Sequence, residues 1–153
     1  MSDWQLQAAV LVRSKDEIPE ILKKWDSFFK NPVLVLLQGP MAAGKTELVR
    51  NFAKLKGFED VASPSFAIHH RYRRASRDQM EIDHFDLFRL SNEEELESTG
   101  FWDLIENKQA WIFIEWPERL SEDQISRRIK LLKIVFKMNP DDSRRLELYE
   151  RNR

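Results

Sequence analysis

Residues 33–56, VLVLLQGPMAAGKTELVRNFAKLK, constrain the fold of this chain more than any other stretch. The first six, VLVLLQ, are short, rich in branched apolar side chains and preceded by the breaker pair Asn31–Pro32. That pattern reads as a strand buried on both faces. The last eleven, residues 46–56, place Leu48, Val49, Phe52 and Leu55 at helical spacing and predict a helix with those four facing inward, ended by Gly57. Between strand and helix lies GPMAAGKT, residues 39–46.

Gly39, Gly44, Lys45 and Thr46 meet the pattern G-x-x-x-x-G-K-[ST] of a phosphate-binding loop. The backbone from Gly39 through Pro40, Met41, Ala42 and Ala43 to Gly44 is expected to wrap a β-phosphate. The helix that follows turns its positive N-terminal end toward the anion. Lys45 is the counter-charge for the β- and γ-phosphates, and the Thr46 hydroxyl is a ligand for Mg²⁺. The whole chain holds four glycines, and two of them sit in this loop. Such a site also needs an acid at the end of a neighbouring strand. AWIFIEW, residues 110–116, reads as a second buried strand and supplies Glu115. Asp83 and Asp86, in IDHFDLF, compete for the metal or for positioning the attacking water, and their spacing does not choose between them. His84 could pair with Asp86 on a metal, but a lone His-x-Asp is read as structural rather than as a zinc site.

Around this unit, strands and helices interleave. WQLQAAVLV (4–12) reads as a strand, and SKDE (14–17) as a capping box with Ser14 as the cap and Glu17 reaching back. The helix it opens carries Ile18, Ile21, Leu22, Trp25, Phe28 and Phe29 on one face. SFAIHHRY (65–72) and MEIDHFDLF (80–88) are expected strands separated by an arginine-rich turn. SNEE (91–94) opens a short helix that Gly100 closes, and SEDQ (121–124) reads as a further helix start. LLKIVFKM and RRLELYE flank NPDDS as a terminal β-hairpin. The expected fold is α/β, one P-loop NTPase domain over residues 1–153, with a mixed, mainly parallel sheet between helices.

Composition narrows the function classes. With 42% hydrophobic and 33% charged residues the chain reads as globular, and its longest apolar run is too short to cross a bilayer. No signal peptide is visible, and the absence of cysteine excludes disulfides, thiolate metal sites and a cysteine nucleophile. A cytoplasmic location and no membrane partner are expected. A net charge of −1 argues against binding nucleic acid by bulk electrostatics. Charge is segregated all the same: residues 127–153 hold nine Lys and Arg against four Asp and Glu. Such runs read first as solvated surface, with a phosphate-rich partner as the alternative.

Four segments in order, LQGPMAAGKT, SPSFAIHHRY, HFDLFRL and EWPERL, together resemble one family. It is the TsaE family, the bacterial ATPases required for threonylcarbamoyladenosine formation in tRNA, and the likeness runs from about residue 14 to about residue 148. The resemblance implies a small P-loop fold with a mixed sheet that binds ATP with Mg²⁺ and releases ADP. It implies Thr46 and Glu115 as metal ligands, Asp86 as essential for turnover together with Lys45, and Ser65, in SPSF, as a sensor facing the γ-phosphate. Trp116 matches a family tryptophan, as a ligand contact or as packing. Glu17, Ser143 and Arg144 match stretches that flank the nucleotide. The implied partners are a transferase subunit and its paralogue, which modify the adenosine beside the anticodon of ANN-decoding tRNAs, so tRNA is reached through that complex. No arginine finger is evident in these motifs, so slow hydrolysis in isolation is expected, and Arg71, Arg73 and Arg74 read as a solvated turn or a tRNA or partner contact.

Two positions depart from the family. Ala42 stands where glycine is usual, and Pro40 replaces an acid. If residue 42 needs a positive φ, alanine costs roughly 1 kcal/mol or more and weakens phosphate binding; an α-like conformation would tolerate it. A small-metabolite kinase and a nucleotide-dependent adaptor without useful hydrolysis are the rival readings.

Overall fold

The computed structural model describes residues 3–58, 68–72, 80–107 and 109–152. Seven strands form one sheet in the order β1-β7-β6-β2-β5-β4-β3. They are β1 (Trp4–Val12), β2 (Val33–Gln38), β3 (His69–Tyr72), β4 (Glu81–Asp86), β5 (Ala110–Glu115), β6 (Leu131–Met138) and β7 (Arg144–Arg151). The four central strands, β6, β2, β5 and β4, run parallel. The outer pairs β1–β7, β7–β6 and β3–β4 are antiparallel, which makes the sheet mixed. The β6–β7 hairpin turns at Asn139–Ser143, as NPDDS predicts, with Asp142 at φ 67°.

Helices cover both faces, which is why β2 and β5 are apolar along almost their whole length. On one face α1 (Ile18–Lys24) and α2 (Lys45–Leu55) bury Ile18, Ile21, Leu22, Leu48, Val49 and Phe52 against Val33, Val35, Leu37, Trp111 and Phe113. Phe52 anchors this layer, its ring edge-on to Phe29, Trp111 and Phe113 at 4.9–5.3 Å. The Trp111 indole N–H donates to the Phe29 carbonyl at 2.8 Å, so its polar atom is satisfied inside the core. On the other face α3 (Glu93–Ser98) and α4 (Phe101–Asn107) bury Leu96, Phe101 and Ile105 against Leu34, Leu36, Phe85, Ile112 and Ile114.

Some local expectations change. Ser14 and Glu17 form the predicted capping box, but the first turn they cap, Lys15–Glu17, is a 3-10 turn that leads into α1. Leu55 is 40% exposed, in a surface groove beside Leu22 and Asp26, and Ala53 is the buried residue of that turn. SEDQ yields only a single 3-10 turn, Glu122–Gln124, with no side-chain cap. Gly100 ends α3 with φ 75°, yet α4 starts at once, driven by the burial of Phe101 and Ile105. Among the described residues, several cations of the basic C-terminal region have partners within the fold, while Arg128 is left largely exposed. Lys133 bonds Glu122 at 2.8 Å, Lys137 bonds Glu147 at 2.7 Å, Arg127 bonds Asp3 at 2.8 Å, and Arg151 donates to three backbone carbonyls. SPSF with Ser65, and Arg73 and Arg74, lie outside the described residues.

Candidate functional site

The loop leaves the C-terminal end of β2 and enters α2 with Gly44 at φ 108°, a conformation that glycine adopts without strain. Gly39 is needed for a different reason. A Cβ there would lie 3.0 Å from the Phe136 carbonyl oxygen and 2.7 Å from its Cβ, so the loop could not pass β6. Ala42 lies at φ 65°, in the left-handed region, which decides between the two conformations the sequence leaves open. The fold itself braces this turn. Ala43 N donates to the Pro40 carbonyl at 3.2 Å, and the Arg144 guanidinium, reaching over from β7, donates to the Ala43 carbonyl.

A cleft of about 750 Å³ opens beside the loop, a size that suits a small-molecule ligand. Its walls include Met41, Ala42, Gly44, Lys45, Thr46, Asp86, Glu115 and Trp116. Lys45 is only 4% exposed, and its ammonium donates to the Gly39 carbonyl and sits 3.6 Å above the Trp116 ring. Burial pushes its pKa below the ordinary lysine value, while Glu115, Glu118 and Asp86 act in the opposite direction. Trp116 therefore packs against the loop lysine. It does so from a left-handed backbone, φ 60° and ψ 52°, with the Phe88 ring 5.0 Å away and tilted to it.

Strand alternation decides which acids reach the cleft. Asp86 and Glu115 are register partners at the C-terminal ends of β4 and β5, on the face that carries α2. Asp83 points to the opposite face, fully buried, and accepts hydrogen bonds from His69 at 2.7 Å and Arg71 at 2.9 Å. That removes Asp83 from the competition and gives Arg71 a role inside the fold. Asp86 is tied down by its backbone, donating to the Ile68 carbonyl at 2.8 Å, while Oδ1 accepts from Phe88 N at 3.1 Å. The Thr46 hydroxyl donates to Glu115 Oε2 at 2.8 Å, and His84 Nε2 meets the same oxygen at 2.5 Å. His84 is thus bonded to Glu115, not partnered with Asp86 on a metal.

Thr46 and Glu115 offer hard oxygen donors at one point on the cleft wall. Mg²⁺ takes one or two protein oxygens and completes its shell with phosphates and water, so this pair fits it. Among the described residues no group of three or more His, Cys, Asp or Glu is arranged to hold a metal by itself.

Two expected flanking residues do not face the cleft. Glu17 is committed to the cap, accepting from Arg13 N at 2.7 Å, and Ser143 is buried in the hairpin turn with its hydroxyl bonded to Asp141. Arg144, the third expected flanking residue, does line the cleft, and Arg13, Ser14, Lys15 and Asp142 line it in place of the other two. Arg89, which also lines it, lies within HFDLFRL and is the arginine that a reading of the motifs passes over.

A glycine-bearing loop between a central parallel strand and a helix, with a carboxylate at the tip of the next strand, defines an α/β domain of the P-loop class. Within that class, residues 12–146 match the family described as threonylcarbamoyl adenosine biosynthesis protein TsaE. The chain belongs to the TsaE family, whose members serve tRNA threonylcarbamoyladenosine biosynthesis. It is 34% identical to the TsaE protein of Haemophilus influenzae over 110 residues, 71% of this chain and 66% of that one. It is 30% identical to that of Bacillus subtilis over 132 residues, 86% of this chain and 78% of the relative. The aligned part spans 57% of the Synechocystis relative, at 35% identity. The crystal structure of Bacillus subtilis YdiB has the same fold, with a TM-score of 0.68 and 22% identity over 97% of this chain and 88% of that one. No helix among the described residues is long and apolar enough to cross a membrane.

Proposed function

We propose that the chain binds ATP with Mg²⁺ and hydrolyses it to ADP and phosphate in support of threonylcarbamoyladenosine formation on tRNA. One observation carries this reading: Lys45, Thr46, Glu115 and Asp86, from three separate elements, line one cleft beside the loop. The loop N–H groups and the N-terminus of α2 suit a β-phosphate. Lys45 neutralises the β- and γ-phosphates, and its partial desolvation strengthens that attraction. Thr46 and Glu115 hold Mg²⁺, which when bound neutralises charge on the β- and γ-oxygens. Asp86, one strand over, orients the attacking water in line and takes its proton as the bond to phosphorus forms and the bond to ADP breaks.

In this reading the chain works with a transferase subunit and that subunit's paralogue in the cytoplasm and reaches ANN-decoding tRNA through their complex. Membership of the TsaE family supports it. The test is complementation of cells depleted of their own TsaE protein, with mass spectrometry of the tRNA nucleosides. The wild-type chain is expected to restore the modified adenosine, and Lys45→Ala to fail. Asp86→Ala should retain ATP binding while turnover drops by roughly 10²–10⁴-fold, the range for loss of a general base. Restoration by Asp86→Ala would mean that binding alone suffices, as an adaptor requires. Phosphorylation of a small acceptor without partner proteins would point to a kinase.

A further inference from the structure

His84 is fully buried on β4, and Glu115 is the sole hydrogen-bond partner recorded for its ring among the described residues. Nδ1 is buried without a partner among the described residues. A hydrogen on Nδ1 would lack an acceptor, so the tautomer that satisfies the ring carries its hydrogen on Nε2 and donates it to Glu115. For core packing alone this is a poor choice, since a leucine would fill the space without an orphaned nitrogen. Glu115 has the opposite difficulty. It is a long side chain, 3% exposed at the end of an otherwise apolar strand, and it accepts from the Thr46 hydroxyl at 2.8 Å. Both bonds fall on Oε2, which fixes the carboxylate from two sides.

We infer that His84 is a positioning residue, whose Nε2–H locks the Glu115 carboxylate onto Thr46 so that the two present a preformed divalent-cation site. This rests on the proposed reading of Thr46 and Glu115 as the metal pair. Outer-shell partners of this kind change metal affinity by about 10–100-fold when lost.

The test titrates Mn²⁺ into the full chain carrying one equivalent of ADP, followed by electron paramagnetic resonance, with thermal unfolding measured in parallel without metal. His84→Leu is expected to weaken Mn²⁺ binding by roughly 10–100-fold and to lower the unfolding midpoint, because the buried Glu115 carboxylate loses a donor. His84→Gln, whose amide reaches as far as Nε2, should stay within about threefold of wild type; His84→Asn, which stops short, should resemble His84→Leu. If His84→Leu does not fold, the Gln and Asn pair decides. Equal Mn²⁺ binding by wild type, Gln, Asn and Leu variants overturns the inference, as does a loss of affinity in His84→Gln as large as that in His84→Asn. Glu115→Gln separates the two levels. If it weakens Mn²⁺ while the His84 variants do not, the inference fails and the metal pair stands; if it too has no effect, the metal pair itself is wrong.

Discussion

Ala42→Gly tests whether the loop's conformation is set by the fold or by its ligand. An L-residue in the left-handed region costs roughly 1–2 kcal/mol, and Ala42 holds φ 65°. Glycine removes that strain but adds about 0.4–1 kcal/mol of unfolded-chain entropy. The net expectation is a stabilisation of roughly 0.5–1 kcal/mol. For a domain of this size that corresponds to a rise in melting temperature of roughly 1–4 °C. The turn is braced by Pro40 and by Arg144. The left-handed conformation therefore belongs to the folded chain, and its cost cancels between free and bound protein. ATP affinity, measured by calorimetry, should change less than about twofold. If the loop entered the left-handed region only around a ligand, the same 1–2 kcal/mol would appear as roughly 5- to 30-fold tighter ATP binding. A urea midpoint that does not move, together with ATP binding tightened at least fivefold, would refute the reasoning.

Other expectations follow from the same geometry. Asp83→Ala should destabilise the protein by about 2–3 kcal/mol in urea denaturation, less than a fully buried pair loses because Arg71 keeps Glu81 at 3.4 Å. It should leave ATP affinity unchanged; a selective loss of ATP binding would return Asp83 to the cleft. Glu147 is held below the ordinary carboxylate range chiefly by the hydrogen bond from Lys137, with Arg145 and Tyr149 assisting and burial opposing. Because its folded pKa is depressed, its contribution is present above the unfolded value and lost as pH falls through the folded one. Thermal midpoints taken from about pH 6 to about pH 3 should therefore fall less steeply in Glu147→Gln than in wild type. Parallel curves would show that this carboxylate contributes nothing to acid sensitivity.

Much of the architecture was legible because local pattern and tertiary burial agree. The strand at residues 33–38, the capping box at Ser14 and the terminal hairpin at NPDDS all form where the pattern places them. Expectations failed where the pattern was local and burial did not support it. SEDQ offers a helix start and Ile125, Ile129 and Leu132 follow at helical spacing, yet it makes a single turn because the chain goes into the sheet as β6 from Leu131. Leu55 keeps the helical spacing of Leu48 and Phe52, yet it lies in a surface groove beside Leu22 and Asp26. Conversely, FWDLI carries no cap of its own and becomes helical because Phe101 and Ile105 seal the second face.

The site divides along the same line. Gly39, Gly44, Lys45 and Thr46 are contiguous, and their chemistry is set by backbone geometry over eight residues, so the chain's own order determines it. Glu115 was also readable, as an acid that ends an apolar strand. Which aspartate of IDHFDLF reaches the cleft depends on which face of the sheet carries α2, and residue order does not contain that. The partners of the loop are likewise tertiary. Arg144 arrives from β7, Trp116 closes over Lys45, and His84 bonds Glu115 rather than Asp86. The alanine at position 42 was plain in the sequence; that it stands in a left-handed turn, braced from the far end of the chain, is a consequence of packing alone.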